Sequence, residues 1–379
     1  MASPLQPSRR QQALDLLRFP LAIVVLTIHT WSSDGFYLQG EPVDLQNYPV
    51  FQEINRWIDG FLRGQSVPIY FFISGFVFFF GVEWNKGTYL RKLKNRVKTL
   101  LIPYLIWNTI AIVLLIAKTL PVFAQFQSYE TDFVFSIKGL LSCFWNYNNG
   151  FFPETPDTIP TTECAYPIDM PLWFLRDLML VVLCTPLLYR LLKRTGIYAV
   201  IGIGLLWFAK NYLTIGHVGQ LLDALFFFSW GAYLSIHRKE MLTVFGRWFK
   251  LSMWTYPLLA LSHIAAAHYW PEAASTIKQL NVLARLFFAY NAANWLLDHR
   301  ICKPNDFLAA SSFFIYVAHA LVCNRLLRML FVWIQPESDF ALCLVYTSTV
   351  VLTIALLLGS FYLMKRFTPR LLKVVAGRA

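Results

Sequence analysis

The sequence predicts an all-α protein, a polytopic membrane helical bundle of about ten transmembrane helices with both termini cytoplasmic. Two observations carry this. Only 14% of the 379 residues are charged while 57% are hydrophobic, against about 25% charged in soluble domains. Apolar runs of about 20 residues, enough to cross roughly 30 Å of hydrocarbon, recur along the whole length. Positive charge at the ends of those runs then sets their direction.

In chain order the predicted spans are 13–33, 67–83, 99–120, 170–192, 196–213, 218–236, 251–270, 278–297, 307–334 and 340–364. The first twelve residues are polar, and the run after them is too long for a signal-peptide core. With a cytoplasmic N-terminus, most of the 33 Lys and Arg fall on the inner side, including the stretch from Lys86 to Lys98. The net charge of +12 thus serves membrane orientation, which argues against a nucleic-acid partner. Two outer connections are long, 34–66 and 121–169. The second, with Pro153, Pro156, Pro160 and Pro167 among acidic residues, reads as an ordered but irregular lid. Cys143 and Cys164 share that segment and are candidates to pair; no spacing among the six cysteines suggests a metal site. With no internal repeat or low-complexity tract, residues 1–379 read as a single membrane domain.

Ionisable groups inside spans are costly and mark candidate sites. The first span carries Asp15, Arg18 and His29. Eleven residues is close to three helical turns, so Arg18 and His29 share a face about 16 Å apart along the axis. Arg18 is expected near the cytoplasmic surface and His29 near mid-bilayer. An imidazole withdrawn from water stays neutral, the state a general base requires; the plainer alternative is a histidine bonded to a neighbouring helix. The stretch WNKGTYLRKLKNRVKTLLIPYLIWN at 84–108 reads as a basic hairpin running into the third span. Lipid headgroups suit Lys86, Lys92 and Lys94. Arg96, closest to the helix proper, suits a soluble phosphate ligand, because guanidinium pairs phosphate oxygens two at a time. Arg176 and Asp177 lie inside the fourth span, where Arg176 serves either an ion pair with an acid such as Asp223 or a substrate. Tyr316 and His319 share a face of the ninth span and, with His29 and Arg176, suggest a polar cavity.

Taken together these residues resemble the acyltransferase-3 family of multi-pass membrane acyltransferases. The resemblance rests on Asp15-Leu16-Leu17-Arg18 with His29, on Val67 to Phe76, on Arg96 through Tyr104, on Leu172 to Arg176 and on Ser312 to His319. It implies transfer of an acyl group, acetyl above all, from cytoplasmic acyl-CoA to a hydroxyl of a cell-surface glycan or lipid-linked glycan at the inner (plasma) membrane. The family's essential first-span histidine corresponds to His29, supported by Asp15. Its donor-binding arginines correspond to Arg18 and Arg96. Many members carry R-x-x-R where this chain has Arg96 and Thr99, so Arg91 or Lys98 is expected to complete the phosphate contact. Arg176, Tyr316 and His319 fall to the acceptor, and no metal is expected. The main rival reading is a transporter or flippase without acyl transfer; a glycan-binding scaffold is a weaker third.

Overall fold

The computed structural model describes residues 8–32, 36–38, 41–64, 66–118, 137–147, 165–212 and 218–377. The long helix α1 (Arg9–Thr30) starts at Ser8, whose hydroxyl accepts the Gln11 amide hydrogen, and runs 22 residues through Pro20. A two-residue antiparallel pair, Tyr37–Leu38 with Glu41–Pro42, leads to α2 (Pro49–Phe61) and α3 (Ser66–Phe79). The connection predicted at 34–66 therefore holds a helix. Phe51 of α2 is buried in a cluster with Trp31 and Tyr346, while Val50 and Trp57 face outward. Its apolar stripe is one-sided, which a search for span-length apolar runs passes over.

The expected basic hairpin is instead one helical run. α4 (Lys86–Arg96), capped by the Asn85 side chain, continues through a π-helical turn (Val97–Leu101) into α5 (Ile102–Lys118). Pro103 explains the wide turn: it has no N–H for the Thr99 carbonyl, so the ladder must shift there. After α6 (Ile137–Ser142) and a 3-10 turn (Met170–Leu172), the predicted span 170–192 is broken into α7 (Trp173–Leu183) and α8 (Thr185–Thr195), bent by 65°. Pro186 cannot donate to the Val182 carbonyl. The Thr185 hydroxyl donates to it instead, at 2.7 Å.

The rest is α9 (Ile197–Ala209), a 3-10 turn at Lys210–Tyr212, α10 (Val218–Ile236), α11 (Met241–Gly246), α12 (Phe249–Tyr269), α13 (Pro271–Asp298), α14 (Asp306–Ile334), α15 (Asp339–Phe367) and α16 (Pro369–Val375). Among the described residues, five helical stretches are long and apolar enough to cross a membrane, or six with the bent α7–α8 pair. The other predicted spans are helical as well, as α9, α10, α12 and α13. Residues 121–136 and 148–164 of the predicted lid lie outside the described residues, as does Cys164 and with it the pairing to Cys143.

α1 packs against α14, α13, α15 and α3. α3 lies closely on α10: a Cβ on Gly75 would meet the Phe228 carbonyl oxygen at 2.0 Å, and one on Gly231 the Phe72 oxygen at 2.0 Å. The two ends of the bundle hold contacts between residues predicted on the same side. At one end Arg9 donates to the Asn294 carbonyl at 2.9 Å and pairs with Asp298. At the other, the Tyr48 hydroxyl donates to the Pro336 carbonyl at 2.8 Å, and Lys278 reaches Asp59 at 3.3 Å.

Candidate active site

The C-terminal end of α1 presents carbonyls that no further helical amide satisfies. Arg63, after α2, donates to the Trp31 carbonyl at 3.1 Å while its Nε pairs with Asp59 at 2.8 Å. A cation at a helix C-terminus is favourable and fixes the last turn, and His29 sits on that turn.

Across from it, α14 presents His319, which is 0% exposed. The two imidazole centroids lie 5.3 Å apart with their planes tilted by 45°. Nδ1 of His319 is 2.7 Å from the Tyr316 carbonyl oxygen. A carbonyl oxygen only accepts, so Nδ1 carries the proton and the lone pair of the neutral ring is on Nε2. Nε2 is buried and has no partner among the described residues. Tyr316 itself donates its hydroxyl to the Pro171 carbonyl. It also packs edge-on against Phe174 at 5.7 Å, which locks α14 to the start of α7. Thus His29, His319 and Tyr316 come together, but the Tyr316 hydroxyl is already occupied.

Arg176 does not join them. Nε bonds Asp177 at 2.8 Å, Nη1 bonds the Trp145 and Ala165 carbonyls at 2.8 and 2.9 Å, and Nη2 reaches Gln220 at 3.5 Å. It is 5% exposed, and four hydrogen bonds within the protein occupy its guanidinium. It ties together the two stretches flanking 148–164. The expected partner Asp223 is taken by Lys210 at 2.6 Å and by the Trp207 indole.

Asp15 pairs with Arg18 at 2.8 Å. Fourteen residues of helix separate it from His29, about 21 Å along the axis, so the two side chains do not meet. Arg18 is not at the helix end but about 13 Å inside α1 from Arg9. Its side chain is 46% exposed, and its carbonyl accepts the Tyr70 hydroxyl at 2.8 Å. Arg96 lies over the Phe78 ring at 5.8 Å, with Lys92 over the same ring at 5.1 Å. Arg91 and Lys98 are exposed on the same helical run. Among the described residues, no group of three or more His, Cys, Asp or Glu could hold a metal.

Sequence reasoning did not single out Asp169, which the fold buries beside the Tyr316–Pro171 contact. It is 2% exposed, one residue before the turn whose Pro171 carbonyl holds Tyr316, and its Oδ2 has no partner among the described residues. Its backbone N–H donates to Asn108 at 3.2 Å. Burial pushes its carboxyl well above the usual carboxylate range, opposed by Arg325. In the sequence it is one acid among four in a Pro-rich segment, with no periodicity to mark it.

The profile of the acyltransferase-3 family, described as "Acyltransferase domain", matches residues 11–364. The chain belongs to that family. It is an acyltransferase and a multi-pass membrane protein, and the match runs from α1, with His29, through α14, with His319. The chain is also similar to the succinoglycan biosynthesis protein ExoH of Rhizobium meliloti (strain 1021). The two are 25% identical over 96% of this chain and 91% of that protein. No solved structure matches.

Proposed function

We propose that the protein moves an acyl group, acetyl above all, from acyl-CoA to a hydroxyl of a cell-surface polysaccharide or a lipid-linked glycan. In this reading the ten helical runs are ten crossings of the inner membrane, both termini are cytoplasmic, and the donor enters from the cytoplasm. Family membership supports the transfer. A relative named for succinoglycan biosynthesis supports a glycan acceptor. The observation that carries the chemistry is the pair of imidazoles 5.3 Å apart, one with a buried, unshared Nε2.

His29 is the general base. It takes the proton of the acceptor hydroxyl as that oxygen bonds to the thioester carbonyl carbon. The C–S bond then breaks, and the imidazolium returns the proton to the departing CoA thiolate. His319 accepts a hydrogen bond at Nε2 from a second hydroxyl of the acceptor sugar. Arg18 binds donor phosphate, with Asp15 holding its side chain rather than touching the reacting atoms. Arg96, Arg91 and Lys98 add positive charge on the donor's side. The test is His29→Ala. A general base contributes roughly 10²–10⁴-fold, so acyl transfer should fall by at least that lower factor. The readout is glycan mass from cells carrying the variant, with membrane insertion checked in parallel. A glycan acylated to the wild-type extent would remove His29 from the mechanism. A wild type that moves glycan without changing its mass would favour the flippase reading.

A further inference from the structure

Beyond the basic stretch that leads into α5, a different set of cations lines a cavity. A cavity of about 1000 Å³ opens where the ends of α1, α3, α8 and α10 converge. Arg10, Lys193, Arg238 and Lys239 line it, against two acids, Glu83 and Glu240. One wall is aromatic: Trp84 packs on Phe79 at 4.6 Å and on Tyr189 at 5.4 Å. The rim is shaped by backbone. Arg238 takes a positive φ of 51°, which turns the chain after α10, and His237 Nε2 sits 3.0 Å from the Leu192 carbonyl of α8. Surplus cations facing a wall of aromatic rings match a ligand with phosphates and a planar base. A second cavity, of about 490 Å³ along α2, is lined almost wholly by apolar side chains such as Ile54 and Trp57 and does not fit such a ligand.

We propose that this cavity binds the nucleotide head of the donor, the 3′-phosphoadenosine diphosphate of CoA; this rests on the acyl-CoA donor proposed above. The spacing along α1 accommodates the whole molecule. Arg10 to Arg18 is eight residues, about 12 Å, and Arg18 to His29 is about 16 Å. An adenosine diphosphate laid along the first interval delivers its diphosphate to Arg18, and the pantetheine arm spans the second. The base stacks at Trp84, and the 3′-phosphate pairs with Lys193 and Lys239 at the mouth.

Calorimetry on the purified full chain, with CoA, 3′-dephospho-CoA and pantetheine as probes, tests this. Reversing both Lys193→Glu and Lys239→Glu, each exposed and outside the packed core, should weaken CoA by at least about tenfold. It should also erase the preference for CoA over 3′-dephospho-CoA and leave pantetheine unchanged. Lys303→Glu, a reversal on the same predicted side but off the cavity, should change CoA affinity less than about twofold. Wild-type affinity in the double variant, or an equal loss in Lys303→Glu, would overturn the site and leave the cavity to lipid headgroups. In that case continued glycan acylation by the wild type would keep the transferase reading intact. No CoA binding by the wild type would defeat the donor reading and this site together.

Discussion

His319 and Asp169 each leave one buried atom without a partner among the described residues, Nε2 of the imidazole and Oδ2 of the carboxyl. A buried polar atom left unpaired costs about 1–3 kcal/mol, a cost that a ligand hydroxyl or a water reaching it would offset. For His319 the tautomer set by the Tyr316 carbonyl leaves Nε2 as acceptor only. His319→Ala should therefore raise the apparent KM for the glycan acceptor by roughly tenfold, the equivalent of one hydrogen bond. CoA affinity should stay unchanged; an effect on the donor alone would reassign the residue. Asp169 yields a pH prediction. Its folded-state carboxyl lies above its unfolded value because burial disfavours the charge, opposed by Arg325, with Tyr316, Tyr104 and Cys323 as further titratable groups that face it. The folded state then binds more protons than the unfolded one, so stability present at low pH is lost as pH rises through that window. Asp169→Asn does not titrate. The decline of Tm with rising pH above about pH 4 should be shallower in this variant, as thermal unfolding in detergent would show. An unchanged slope would place the titration elsewhere.

At the scale of elements, the contact of α3 with α10 depends on two missing side chains. Each Cβ on Gly75 or Gly231 would stand 2.0 Å from a backbone oxygen, and backbone cannot rotate away as a side chain can. Gly75→Ala should lower stability by about 1–3 kcal/mol or more through overpacking, seen as a reduced Tm in detergent. At Gly202, mid-α9, an added Cβ would meet nothing within 4 Å. There Gly202→Ala should raise stability by roughly 0.5–1 kcal/mol, since alanine loses less backbone freedom in a helix. Two glycine-to-alanine changes thus carry opposite signs, and equal effects would refute the close crossing. The break between α7 and α8 and the π turn before α5 share a cause: a proline leaves the carbonyl four residues back without its amide.

For the whole molecule, the contacts at the two ends of the bundle bear on topology. Residues predicted on the outer side, such as Asp59, Lys278 and Pro336, meet others of that side, and so do residues predicted on the inner side, such as Arg9 and Asp298. The proposed ten crossings place the members of each of these pairs on one side of the membrane, and labelling tests that placement. A cysteine at Glu337, in a background without other reactive cysteines, should be labelled by an impermeant reagent from outside. One at Lys303 should be labelled only after the membrane is opened. The reverse result would invert the scheme, donor side and acceptor side together.

Hydropathy and charge placement alone determined the helical membrane class, the approximate place of most long helices and the candidacy of His29. These depend on local composition, which any apolar segment displays whatever it packs against. The same holds for Arg18 and His319, legible because an ionisable residue in an apolar run stands out. Tertiary structure decided what those residues meet. Arg176 looks like a substrate ligand in sequence but commits its donors to Asp177, Gln220 and two carbonyls. Asp15 looks catalytic but lies about 21 Å along α1 from His29. Asp169 and the cations of the α8–α10 cavity have no local signature, because a polar loop residue reads the same whether it is solvated or folded inward. Which carbonyl a side chain meets, and which nitrogen it leaves free, depends on helices distant in sequence, and so only the packed bundle could decide it.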